Sequence, residues 1–263
     1  MRLNYVGVIG VFLLTSFFIV STAYSYGWGF KPSKDERRPD IGRYEQLIEN
    51  RFAYYAELTD EKNIYLTFDN GYEQGYTPDV LQVLKKHNVP ATFFVTGHYV
   101  EEEPELIKQM VQDGHIIGNH SYSHPDFTKM NKDKIKKELE RVEKQVAQLT
   151  DQKEMAYVRP PRGTFNENTL RWIEELGYVH VFWSVAFKDW ETDRQRGWEY
   201  SYNQMMKQAH PGAIVLLHTV SKDNAEALDR VIIDLKKRGY TFKSLDDLLV
   251  KELVGPALLM DEE

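Results

Sequence analysis

The chain has 263 residues, 42% of them hydrophobic and 28% charged, which suffices for one globular domain with a substantial core. A formal net charge of -7 argues against a nucleic-acid-binding surface, which is normally basic. There is no cysteine, so disulfides, thiolate chemistry and Cys-based zinc sites are excluded, and any metal must sit on His, Asp, Glu or Asn.

The N-terminus reads as a leader. Arg2 supplies a positive start, Tyr5 to Val20 run without a charge, and small residues follow at Ser21, Thr22, Ala23 and Ser25. This is the layout of a secretory signal peptide, with Ala23 or Ser25 as the last residue before cleavage. An apolar run of this length is also borderline for spanning a bilayer, so an uncleaved anchor is the alternative. Residues 1–25 are assigned to a signal peptide or membrane anchor, and residues 26–61 to a linker and N-terminal arm. Gly27 to about Asp40 is rich in Gly, Pro and charge, and a short helix between Tyr44 and Leu58 leads into the domain. The main domain is placed at 62–252 and a C-terminal tail at 253–263.

Within the domain, short apolar runs alternate with amphipathic helices. The strand candidates are Ile64–Phe68, Ala91–Thr96, His115–Gly118, Ala156–Val158, Val179–Ser184, Ala213–Leu217 and Tyr240–Lys243. They are mostly apolar on both faces, as in a buried parallel sheet. Thr77-Pro78 predicts a capped helix start with proline in the first turn; Pro104 starts the next helix and Gly114 ends it. Lys132 to Leu149 sets Ile135, Leu139, Val142, Val146 and Leu149 on one stripe at helical spacing. Gly177 and Gly239 each close a helical segment ahead of a strand. Repeated strand–helix–strand units give an α/β fold, expected as a distorted, incomplete (β/α) barrel of about seven parallel strands.

In a parallel β/α fold the reactive groups sit just after the strands. Here successive strand ends deliver Asp69 and Asn70, His120 and His124, Arg159 and Arg162, Asp189 and Trp190, and His218. Two imidazoles four residues apart, as at His120 and His124, share one face of a helical turn and can grip a divalent ion, although a bare HxxxH is more often a pair of loop histidines. Without thiolates, zinc or another first-row ion fits His and oxygen ligands. Asp69 is the candidate general base, or else the cap of the Asn70-Gly71 turn. His218 is the candidate acid, or a satisfied core histidine. Arg159 or Arg162, on a loop stiffened by two prolines, can orient Asp69 and keep it ionised, or form a structural salt bridge. Asp189 is a partner for one of these arginines or a loop cap. Among the aromatics near the strand ends, Tyr72, Tyr76, Tyr122, Trp183 and Trp190, stacking on a sugar is assigned to Trp190, since most aromatics are core.

Together these residues resemble the polysaccharide deacetylase family, also called the NodB-homology or carbohydrate esterase family 4 domain, over roughly Asn63 to Leu249. The motif TFDDG is present as TFDNG at Thr67–Gly71, HSxxH as HSYSH at His120–His124, and RPPxG at Arg159–Gly163. An Asp-Trp pair at Asp189 and Trp190 and LLH ending on His218 complete the series. The resemblance implies a catalytic domain in which Asp69 is the base and His120 and His124 are metal ligands. It further implies that Arg159 tethers the base and that His218 is the acid, helped by Asp189 through the arginine network. Backbone N–H groups after Gly71 would stabilise the oxyanion, and the products would be acetate and a free amine.

Asn70 stands where the family's second Asp usually ligates the metal, so a divalent ion, by donor type zinc, is expected to be held loosely on His120, His124 and Asn70. The strings TFDNGYEQGYTPDVL, RPPRGTF, FWSVAFKDW and HTVSKDNAEAL resemble the peptidoglycan N-acetylmuramic acid deacetylases of the family, which act on the route to muramic δ-lactam in the spore cortex. Arg162 replaces an aromatic common in relatives and is expected to bind the lactyl carboxylate of muramic acid, with Tyr72 and Trp190 also on the substrate. The implied partner is a peptidoglycan glycan strand met by a monomer on the cell-wall side, possible locations including the forespore intermembrane space, with no nucleic acid and no membrane contact beyond an uncleaved leader. The alternatives are an N-acetylglucosamine-directed peptidoglycan or chitooligosaccharide deacetylase and a catalytically silent glycan-binding protein. A glycoside hydrolase would need a second carboxylate as well placed as Asp69.

Overall fold

A computed structural model describes residues 24–32 and 34–254; the leader expected at 1–25 lies almost wholly outside them. In chain order the elements are β1 (Tyr26–Gly27), α1 (Tyr44–Ile48), β2 (Ala53–Tyr54), β3 (Asn63–Asn70), α2 (Thr77–His87), β4 (Ala91–Val95), α3 (Gly97–Glu102), α4 (Pro104–Gln112) and β5 (Ile116–Asn119). They continue with α5 (Lys132–Leu149), β6 (Tyr157–Val158), β7 (Thr164–Phe165), α6 (Glu167–Glu175), β8 (Val179–Val181), α7 (Trp198–Gln208), β9 (Ala213–His218), α8 (Lys222–Lys237), β10 (Thr241–Phe242) and α9 (Leu245–Val254).

The main sheet runs β10-β3-β4-β5-β6-β8-β2, and β9 joins β3 along Ile64–Asp69. Every pairing in it is parallel. All eight residues of β3 and all five of β4 are buried, as strands covered on both faces must be. Beyond β8 the chain swings back to β9: the Ser184 N–H donates to the Ile214 carbonyl, and Val185 bridges Val215. The sheet therefore curls toward a barrel whose far side rests on two- and three-residue strands and on the isolated bridges Val185–Val215 and Ala56–Ala213. This is the distorted, incomplete barrel expected.

The helices follow their sequence signals with local exceptions. The α5 stripe buries Ile135, Leu139, Val142 and Val146, and the Asn131 side chain accepts from the Lys134 N–H at its start. Thr77 does not cap α2; it is the first helical residue, and its hydroxyl donates to Glu73. The helix expected between Tyr44 and Leu58 stops at Ile48, because Asn50 takes a left-handed φ of 58° and Ala53–Tyr54 then pairs with β8. The arm adds β1, which pairs antiparallel with β7. Trp28, Ile41, Ile48 and Tyr55 bury against Phe165 and Phe182 in a second apolar cluster. The segment that reads as a linker is thus packed against the barrel.

Candidate active site

Asp69 is the penultimate residue of β3 and is buried except for its edge at the mouth. A carboxylate in that position needs a partner, and Arg159 provides it from just beyond β6. The fully buried guanidinium donates from Nη1 to Asp69 Oδ1 at 2.8 Å, from Nη2 to Thr67 Oγ1 at 2.8 Å and from Nε to the Val181 carbonyl at 3.0 Å. Its flat face lies 4.2 Å from the Phe94 ring centroid. Burial pushes the Asp69 carboxyl up, but the charge of Arg159, followed by those of His120 and His218, outweighs it and holds Asp69 below the usual carboxylate range. A carboxylate kept ionised inside the mouth is the outcome.

His218 ends β9 and meets Asp189 directly. Its Nδ1–H donates to Asp189 Oδ1 at 2.8 Å, and its backbone N–H donates to Oδ2 at 2.9 Å. Asn224 adds an amide donor to the same Oδ2 at 2.6 Å. Asp189 is therefore not part of the arginine network. It fixes the imidazole through Nδ1 and leaves Nε2 to hold and give a proton. Burial lowers the imidazole, yet the charge and hydrogen bond of Asp189, with the charge of Asp69, raise it above its ordinary value.

His120 and His124 do not lie on a helix. The HSYSH segment is a loop in which Ser121 (φ 68°) and His124 (φ 56°) are left-handed, and this brings the two rings to 4.9 Å between centroids. The loop is tied down from α5, where Glu138 accepts from the Ser123 N–H and hydroxyl, and by Tyr122, whose hydroxyl bonds Glu101 and Arg141. The Nδ1–H of His120 donates to the Arg159 carbonyl at 2.8 Å, so Nε2 carries the free lone pair, 3.5 Å from Asp69 Oδ2. Burial first, then the charge of His120, holds His124 down to about 4, with Arg162 acting in the same direction. Burial favours the neutral form of both rings, the form that binds metal.

Asn70 is the last residue of β3 and is fully buried. Its amide donates to Thr219 Oγ1 at 2.7 Å, while its carbonyl oxygen is buried without a hydrogen-bond partner. Among the described residues no group of three or more His, Cys, Asp or Glu is set to hold a metal. The two imidazoles and that orphaned oxygen are donors of the chemical type that suits a divalent ion.

Arg162 is exposed on the turn after Pro161, at a left-handed φ of 60°, and its charge reaches His124. Tyr72 and Trp190 are 45% and 48% exposed, and the Trp190 ring stands 5.6 Å from His218. Thr67, Phe94 and Asn224 are supporting residues that the sequence reading did not single out. Thr67 opens the TFDNG motif and Asn224 lies in the helix-start string that follows His218, whereas Phe94 carried no signal.

An ionised carboxylate and a histidine raised above its ordinary value thus share one mouth of a curled β/α barrel. The family model for polysaccharide deacetylase matches residues 56–181. A peptidoglycan-N-acetylmuramic acid deacetylase of Bacillus subtilis, PdaA, is 58% identical over 233 residues, covering 88% of this chain and 89% of the relative. The solved structure of Bacillus subtilis PdaA, a family 4 carbohydrate esterase, matches with a TM-score of 0.85 at 57% identity, covering 87% of this chain and 98% of that one. A peptidoglycan-N-acetylglucosamine deacetylase of Bacillus cereus is 33% identical over 203 residues, 75% of this chain and 72% of the relative. The chain belongs to the NodB-homology polysaccharide deacetylase family, carbohydrate esterase family 4, and is a hydrolase acting on N-acetyl amide bonds.

Proposed function

We propose that the enzyme removes the N-acetyl group of N-acetylmuramic acid in peptide-free peptidoglycan glycan strands, on the route to muramic δ-lactam in the spore cortex. The observation that carries the choice of sugar is Arg162, an exposed guanidinium on the turn beyond β6 whose charge reaches His124. Muramic acid differs from glucosamine by a lactyl carboxylate, free once the peptide stem is gone, and arginine pairs with carboxylates in a bidentate fork. The 58% identity to PdaA supports the same substrate.

In the reaction, Asp69 takes a proton from the water that attacks the acetyl carbonyl, and Arg159 holds it ionised for that step. His218, aligned by Asp189, gives its Nε2 proton to the departing nitrogen. Backbone N–H groups after Gly71 bind the oxyanion, Arg162 holds the lactyl carboxylate, and Tyr72 and Trp190 flank the sugar. Acetate and a free amine leave. His120, His124 and Asn70 are the residues that would hold a divalent ion, in our reading zinc, which when bound supplies Lewis-acid polarisation of the acetyl group. Three neutral donors bind such an ion more loosely than a set containing a carboxylate. The enzyme works as an exported monomer on the wall side of the membrane; among the described residues no helix is long and apolar enough to cross one.

The test is acetate release from peptide-free glycan and from chitooligosaccharides, with added zinc and with chelator, followed by product mass. Acetate lost in chelator, with the mass change on muramic acid, is the expected result. Acetate mainly from N-acetylglucosamine would transfer the enzyme to the glucosamine-directed group. Glycan binding without acetate under any metal would make it a binding protein.

A further inference from the structure

The turn that carries Arg162 is held from outside the barrel by the N-terminal arm. The Trp28 N–H donates to the Gly163 carbonyl at 2.8 Å, and the indole Nε1–H donates to the Trp183 carbonyl at 2.9 Å. The indole stacks on Phe182 at 4.3 Å between centroids and packs against Phe165 and Tyr55. One residue back, β1 pairs with β7, so Tyr26 opposes Phe165 and Gly27 opposes Thr164. Tyr44 locks this strand by donating its hydroxyl to the Gly27 carbonyl at 2.6 Å.

The same arm reaches the histidine loop. The Ser25 hydroxyl donates to Thr128 Oγ1 at 3.1 Å, and Thr128 and Thr164 both donate their hydroxyls to Asp126 Oδ1 at 2.6 and 3.2 Å. Asp126 lies two residues past His124. Ser25 to Trp28 thus spans the backs of both loops that form this side of the mouth.

The turn itself has little freedom of its own to stay in place. Arg162 sits in the left-handed region, which strains a non-glycine residue and persists only where neighbours enforce it. Gly163 is also left-handed, and a Cβ there would meet the Trp183 ring at 2.7 Å and Trp28 Cβ at 3.2 Å. The two tryptophans therefore form the mould against which the turn is cast, with the arm supplying one wall.

We propose that Trp28 and the strand β1 are positioning elements for substrate selection, holding the Arg162 turn at the angle that presents its guanidinium to the sugar's carboxylate. Among the described residues, none of the arm's hydrogen bonds or ring contacts reaches Asp69 or His218, so the arm acts on recognition and not on the chemical step. The proposal rests on the reading of Arg162 as the carboxylate ligand, and the experiment separates the two.

Three variants of the full chain, Trp28→Phe, Trp28→Ala and Arg162→Ala, are compared with the wild type. KM and kcat are measured on peptide-free muramic glycan and on chitooligosaccharide, and backbone amide exchange is followed across Arg162–Phe165. Trp28→Phe keeps the stacked ring and deletes one hydrogen bond, so the ratio of the two KM values should shift by roughly fivefold against the muramic substrate. Trp28→Ala should shift it by about tenfold and speed exchange in the turn by a similar factor, with kcat changed less than KM on either substrate. Combining Trp28→Ala with Arg162→Ala should add little to Arg162→Ala alone, because both act through one contact. If Trp28→Ala does not fold, Trp28→Phe carries the same readouts. An unchanged KM ratio with unchanged exchange, or full additivity with Arg162→Ala, overturns the positioning role. If Arg162→Ala weakens both substrates equally, the carboxylate reading falls, and exchange in the turn alone then decides whether the arm holds it.

Discussion

The two sides of the mouth are built differently. On one side, Asp69 near the end of β3 is paired with Arg159 just beyond β6, and His218 at the end of β9 is paired with Asp189 from the segment after β8, so each partner comes from a distant part of the chain. On the other, His120, His124 and Arg162 ride on loops whose backbones are left-handed at Ser121, His124 and Arg162 and are held by side chains from α5 and from the arm. The proton-transfer side is rigid because a buried charge without its partner costs several kcal/mol. The binding side takes its shape from loops and can change without dismantling the sheet. Chemistry common to a family belongs on the first and the choice of sugar on the second.

Mutations should expose that asymmetry. The largest effect is expected for Asp69→Asn, which removes the base while keeping its shape: kcat on peptide-free glycan should fall by about a thousandfold with glycan binding retained, as rate and binding assays would show. Next, Arg159→Met leaves Asp69 buried without its countercharge and should lower unfolding stability by about 3–5 kcal/mol, read from denaturant melts. Its activity should fall as well, since Asp69 then titrates at higher pH. Arg162→Ala belongs to the binding side and should raise KM on muramic glycan by roughly tenfold with kcat largely kept, the loss of one bidentate pair. The smallest effect is expected for Trp190→Ala, a few-fold in KM on both sugars, as one exposed ring against a sugar face is lost. An Arg162→Ala enzyme impaired mainly in kcat would break the division between the two sides.

Much of the proton-transfer side is legible in the sequence because it obeys the rule of strand ends. Buried apolar runs such as IYLTF and AIVLL mark β3 and β9, and the charged residue that follows each is at the mouth. Direct partnership is harder to see. Asp189 follows no regular strand, since β8 stops at Val181, and nothing in its spacing tells whether it meets an arginine or His218. The histidine pair illustrates the same gap: spacing four suggests a helical turn, but left-handed Ser121 and His124 bring the rings together in a loop. The arm was the least legible part. Gly and Pro around Trp28 read as a linker, and its burial depends on Phe165 and Phe182, more than a hundred residues away in sequence. Thr67 and Phe94 lie inside strands that any buried sheet would carry, so their roles at Arg159 emerge only from packing.

The central claim is that an ionised Asp69 and a protonated His218, each shifted by its own partner, work together in one mouth. The pH dependence of kcat/KM for the wild type and for Asp189→Asn tests it most directly. Activity needs Asp69 without its proton and His218 with one. It should therefore rise through a value below the usual carboxylate range and fall through one above the ordinary 6.5 of histidine. Asp189→Asn removes the charge that raises His218, so the falling limb should move to lower pH while the rising limb stays in place. An unmoved falling limb in Asp189→Asn would contradict the assignment of His218 as the acid.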